Sequence, residues 1–134
     1  MSTPPFTIKP FGPNALLLEW PNRVDVDILM DILGFRAHLL QYHLLGPEWE
    51  MIPVYHSLTV INRNDPAAIK ELIQLLPQWY DNLPVEHKPE TQYWEIPVCY
   101  EASLAPDLLE VSEKLGLQPQ QVVEAHTAQP YRVY

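Results

Sequence analysis

Cysteine is nearly absent from this chain. A single thiol, Cys99, in 134 residues excludes an internal disulfide and fits a reducing compartment. Glycine is scarce as well. Gly12, Gly34, Gly46 and Gly116 stand too far apart to build a Gly-rich phosphate loop. Cationic residues are few: Lys and Arg number 8 against 17 Asp and Glu, for a formal charge of -9. That sign repels nucleic acid and anionic membranes at long range, so neither is expected as a partner. Long apolar runs are missing too, and none approaches the roughly 20 residues of a membrane helix. The first ten residues, MSTPPFTIKP, have neither the basic start nor the apolar core of a signal peptide. The expected location is cytoplasmic.

What is present suits a folded domain. Hydrophobic residues make up 47%, with four Trp and seven Tyr to bury large areas. The length suggests one domain with an appendage. Fifteen prolines fall mostly between periodic segments and punctuate the chain.

Residues 6–9 and 15–20 read as strands joined by the turn FGPN, a hairpin. Asp25 is an N-cap for a helix reaching about Leu45, with Leu29, Ile32, Leu33, Leu39, Leu40 and Leu44 on its apolar face. Gly46 and Pro47 stop it. Residues 49–55 and 58–61 read as two strands, and Pro53 gives the first an unpaired side or a bulge. Asp65 caps the next helix and Pro66 opens it, with Ile69, Leu72, Ile73, Leu76 and Tyr80 lining one face. The stretch NLPVEHKPE is a polar connection, and residues 91–99 read as one more strand. From Ala15 to Cys99 the order strand, helix, strand, strand, helix, strand predicts a ferredoxin-like split βαβ sheet of the α+β class. It carries an extra N-terminal strand. Two short helices follow, from near Pro106 to Gly116 and from Pro119 to about Ala125, as a C-terminal helical hairpin. Residues 1–100 would then be the α/β domain and 101–128 the hairpin that completes it. Tyr131, Arg132, Val133 and Tyr134 look like the opening of another strand.

The candidate chemistry is thin. VSEKLGLQPQQVVEAH has the cadence of a helix-turn-helix, but its second helix offers Gln120, Gln121, Glu124 and His126 and no Lys or Arg for phosphates. His38 and His43 are five residues apart, about 140° around a helix, where ligand pairs want three or four. Cys99 lies in the apolar run EIPVC and reads as a small buried hydrophobe, not a nucleophile. Asp27 and Asp31 stand four apart near a helix N-terminus, where they favour the dipole and face water. No residue is assigned a catalytic, cofactor-binding or metal-binding role.

Taken together, FGPNALLLEW, YHSLTVI, EIPVCYE, APDLLEVSEKLGLQPQQVVEAHT and YRVY resemble, in order, the B-type subunit of the prokaryotic 5-oxoprolinase. This is also the KipI-like, or allophanate hydrolase subunit 1, family. The resemblance covers nearly the whole chain and implies a small N-terminal α/β domain followed by a cyclophilin-like β-barrel. Residues 129–134 would be the first strand of that barrel, whose later segments do not follow here. It implies a partner resembling the C-type subunit and a separate protein resembling the A-type subunit, with ATP used by the full complex to open 5-oxoproline to glutamate. The present chain would be the accessory domain, inactive alone. His126, Tyr131 and Tyr134 match family positions at the domain junction, where packing is the expected role. Two departures stand out: EASLAPDL follows the PVCY stretch where members often have glycines, and His56 stands where Arg is common. A competing reading from the same family is a regulatory module that inhibits a sensor histidine kinase. Loss of a covering barrel would also favour a homodimer.

Overall fold

A computed structural model describes residues 4–84 and 91–134. Contacts divide the chain into two units, Met1–Thr91 with Tyr134, and Gln92–Val133.

The first unit is α+β. Four strands form one antiparallel sheet: β1 (Thr7–Pro10), β2 (Ala15–Glu19), β3 (Trp49–Val54) and β4 (Ser57–Asn62), in the order β1-β2-β4-β3. The expected hairpin joins β1 to β2 across FGPN, with Gly12 at φ +77°, where a side chain would be strained. The link between β3 and β4 is two residues long, and Tyr55 takes φ 37° there. Pro10 and Pro53 lie on the two edge strands, where a missing N–H breaks no ladder inside the sheet.

Helix α1 (Val26–Gln41) begins where Asp25 accepts a hydrogen bond from the Asp27 amide, 2.9 Å. Helix α2 (Pro66–Asp81) begins at Asp65, which accepts from Ala67 and Ala68. Asn62 at the end of β4 prepares that start: its Oδ1 accepts from the amides of Asn64 and Asp65, both at 3.0 Å. The strand residues Leu16, Leu18, Leu58 and Val60 are fully buried, and Ile32, Phe35, Leu39 and Leu76 of the helices meet them in one core. Each such side chain contributes about 1.5–3 kcal/mol by leaving water.

The sheet differs from expectation in one strand. Among the described residues, 91–99 carry no ladder, helix or turn. The position beside β2 that a split βαβ sheet gives to its last strand is taken by β1. A hairpin through a four-residue turn closes that edge at less entropic cost than a return across a long connection. The helical expectations also shift. Phe35 is fully buried, while Leu40 and Ile73, assigned to the apolar faces, are exposed. The α1 helix ends at Gln41, so His43 stands outside it with φ 51°.

The second unit holds α3 (Leu108–Leu115) and α4 (Pro119–Thr127), which pack on one another. Gly116 ends α3 in the left-handed conformation, φ 66°. Pro119 opens α4, and Gln118 and Gln121 exchange hydrogen bonds in a capping box.

Candidate functional site

Two side-chain clusters stand out, one in each unit. In the first, Asp31 on α1 accepts from two donors, one of them shared between its two oxygens. Trp20 Nε1–H donates to Oδ2 at 2.6 Å, and the Tyr80 hydroxyl lies 2.8 and 2.7 Å from Oδ1 and Oδ2. The expectation that Asp31 faces water is therefore corrected. It ties the end of β2 to both helices. Burial, then the neighbouring Asp31 carboxylate, hold the Tyr80 hydroxyl pKa well above the ordinary tyrosine value of 10.0. The Tyr80 ring packs with Phe6 and Phe35, the three ring centroids lying 5.2–5.8 Å apart. The cluster was not foreseen, although a signal existed: Trp20 and Tyr80 each bring a polar tip into an apolar face, and each needs a partner.

Asp25 has its carboxyl held below the ordinary value of 3.8, chiefly by the hydrogen bond from the Asp27 amide. It acts as a cap. His38 is buried, with its ring 4.7 Å from that of Tyr42. Among the described residues no group of three or more His, Cys, Asp or Glu could hold a metal ion.

The second cluster centres on His126, in the last turn of α4. Its Nδ1 is in hydrogen-bond contact with the Tyr100 hydroxyl. The rings of Tyr100 and Tyr131 flank it, with centroids at 5.9 and 5.4 Å. Of the three expected junction residues, the structure thus brings His126 and Tyr131 together. Tyr134 does not join them. By its contacts it belongs to the first unit, where its ring lies 6.5 Å from that of Tyr55. Tyr100, the partner of His126, was missed because it follows the segment read as a sheet strand.

That segment is apolar and strongly exposed. Tyr93 is 79% exposed, Trp94 80% and Ile96 78%. Cys99 is exposed as well, which corrects its reading as a buried hydrophobe. With no ladder on this segment, no sheet encloses the thiol.

Residues 6–134 match the model of the family described as carboxyltransferase domain, subdomain C and D. The chain belongs to this family. It is 36% identical over 85 residues to the B-type subunit of 5-oxoprolinase from Escherichia coli O157:H7, covering 63% of this chain and 38% of that protein. It is 24% identical over 139 residues to the B-type subunit of 5-oxoprolinase from Bacillus subtilis strain 168, covering 96% of this chain and 58% of that one. Among solved structures it is similar to a conserved uncharacterized protein of Pyrococcus horikoshii, with 29% identity and a TM-score of 0.49, covering 96% of this chain and 58% of that one. The chain therefore spans less than two thirds of the length of these relatives. The carboxyltransferase-domain match takes in both units, including the exposed segment and the His126 cluster.

Proposed function

We propose that this carboxyltransferase-domain chain serves as the accessory, partner-facing part of a protein resembling the B-type subunit of 5-oxoprolinase. In this reading it works with C-type and A-type partner proteins in the ATP-dependent opening of 5-oxoproline to glutamate. The relatives named as B-type 5-oxoprolinase subunits support it. The observation that carries it is the contrast between the two units. The first has a closed core, whereas the second presents Tyr93, Trp94 and Ile96 to solvent. Large exposed apolar stretches of this kind mark surfaces that are covered in an assembly. The first unit offers a scaffold: the Asp31 carboxylate is already occupied by Trp20 and Tyr80.

Pairing tests the reading. In the Bacillus subtilis relative the matching stretch is replaced by residues 1–134, and the chimera is co-expressed with the C-type partner. A stable complex that survives gel filtration is expected. A folded chimera that elutes alone, where the parent protein pairs, contradicts it.

A further inference from the structure

The sheet of the first unit has two faces, and its helices use one. Alternation along the strands puts Leu16, Leu18, Leu58 and Val60 into the core, so Leu17, Thr59 and Ile61 point the other way. On that second face the register sets Lys9 beside Leu17, Ile52 beside Thr59, and Val54 opposite Ser57. An antiparallel sheet that leaves one face to water alternates apolar and polar residues. Here the middle of the second face is largely aliphatic, and Ile52 and Val54 are each 40% exposed. Charge on the same face is balanced. Lys9 of β1 pairs with Glu19 of β2, and Arg63, just past β4, pairs with Glu50 of β3 at 3.3 Å. Two cations and two carboxylates cancel, so the formal charge of -9 resides elsewhere on the chain. The edges of the sheet are closed to a new strand. Pro10 and Pro53 lack the N–H that a neighbouring strand would use, and the Met51 carbonyl of β3 already accepts from Arg36 at 3.4 Å.

We propose that this second face is a self-association surface, covered by the same face of a second copy of the chain. The charge pattern selects that occupant. A cationic partner is drawn to the acidic remainder of the surface and not to a neutral patch. Two copies repel through that acidic remainder, and the neutral face is where they meet without setting like charges together. The face is also self-complementary. When two sheets pack about 10 Å apart around a two-fold axis along the strands, β1 of one copy lies over β3 of the other. The Lys9 edge then meets the Glu50 edge twice, and Leu17 on β2 meets the β4 residues Thr59 and Ile61. Four strands about 4.8 Å apart, with about 3.4 Å per residue, cover roughly 350 Å² of plane. Both copies together stay below the about 1,200 Å² of standard interfaces, so the dimer is reversible and not obligate. The inference rests on the first unit alone. It stands or falls independently of the 5-oxoproline reading.

Sedimentation equilibrium of the 134-residue chain, from about 1 μM to about 1 mM, tests it. Monomer is expected at the low end and dimer at the high end. Ile52→Lys and Val54→Lys each set an unpaired cation inside the joined faces and should weaken the dimer by about tenfold or more. Lysine makes each copy less negative, so the loss cannot come from stronger repulsion between copies. Both sites are partly exposed, and circular dichroism should show the fold unchanged. Trp94→Lys, in the exposed segment of the second unit, should leave the dimer as it is. A chain that stays monomeric across the range overturns the inference. So does unchanged dimer affinity in either folded face variant. A dimer that Trp94→Lys abolishes overturns it too, because the second unit then supplies the contact.

Discussion

The Tyr100 hydroxyl and His126 Nδ1 meet in hydrogen-bond contact across a separation of 26 residues. Tyr131 lies on the same imidazole, 5.4 Å between ring centroids. One side chain at the end of α4 thus gathers the residue after one apolar segment and the first residue of another. His126→Ala removes the contact to both rings. Nuclear Overhauser contacts between Tyr100, residue 126 and Tyr131 are expected to vanish, while the melting of the first unit stays unchanged. Tyr100→Phe should lose the hydrogen bond but keep the ring contact, an intermediate result. A His126→Ala protein that melts earlier in the first unit would contradict the confinement of this clip to the second.

Asp31 is predicted to be the polar residue whose loss costs most. Asp31→Ala strands the Trp20 indole N–H and the Tyr80 hydroxyl in a half-buried site. A stability loss of about 2–3 kcal/mol follows from leaving such donors without an acceptor. Urea unfolding of the two proteins measures it. Asp27→Ala, with its side chain outside this network, should cost far less.

Stability should also fall at alkaline pH through Tyr80. Its folded-state pKa is raised above the ordinary 10.0 by burial and by Asp31. Below pH 10 both states hold the proton and the contribution is whole. Above it the unfolded chain releases the proton and the folded chain does not, so the unfolding free energy declines as pH rises. Tyr80→Phe is expected to flatten that part of the profile. An unchanged slope between pH 9 and pH 11 in the variant would assign the decline to other groups.

Phe35 is fully buried and stacks on Phe6 at 5.8 Å, with Tyr80 edge-on at 5.2 Å. Phe35→Ala opens a cavity that the sheet and helices cannot close. It should cost about 3–5 kcal/mol and bring the first unit close to unfolding at room temperature. Leu40→Ala, at an exposed site on the same helix, should change stability by less than about 1 kcal/mol.

The sequence is most legible where local chemistry decides structure. Asp25 and Asp65 cap helices with their own side chains, FGPN turns a hairpin, and Gly116 stops α3, all from neighbouring residues. It is least legible where distant segments compete. The strand-like pattern of residues 91–99 is real, but the site beside β2 is filled by β1, and a pattern cannot say which of two candidates takes one edge. Asp31 fails for a related reason. Its spacing from Asp27 speaks of the helix dipole, whereas its partners Trp20 and Tyr80 lie 11 and 49 residues away. His126 and Tyr131 were found through resemblance to the family, and Tyr100 was hidden by the strand reading.

The role proposed for this chain is a contribution to 5-oxoproline cleavage within an assembly, with no turnover by the chain on its own. ATP-dependent glutamate formation from 5-oxoproline, assayed with the A-type and C-type partner proteins, tests it most directly. The chimera that carries residues 1–134 within the Bacillus subtilis relative is expected to release glutamate, and the 134-residue chain by itself is expected to release none. Glutamate formed by the chain alone, or a folded and paired chimera that forms none, would contradict that role.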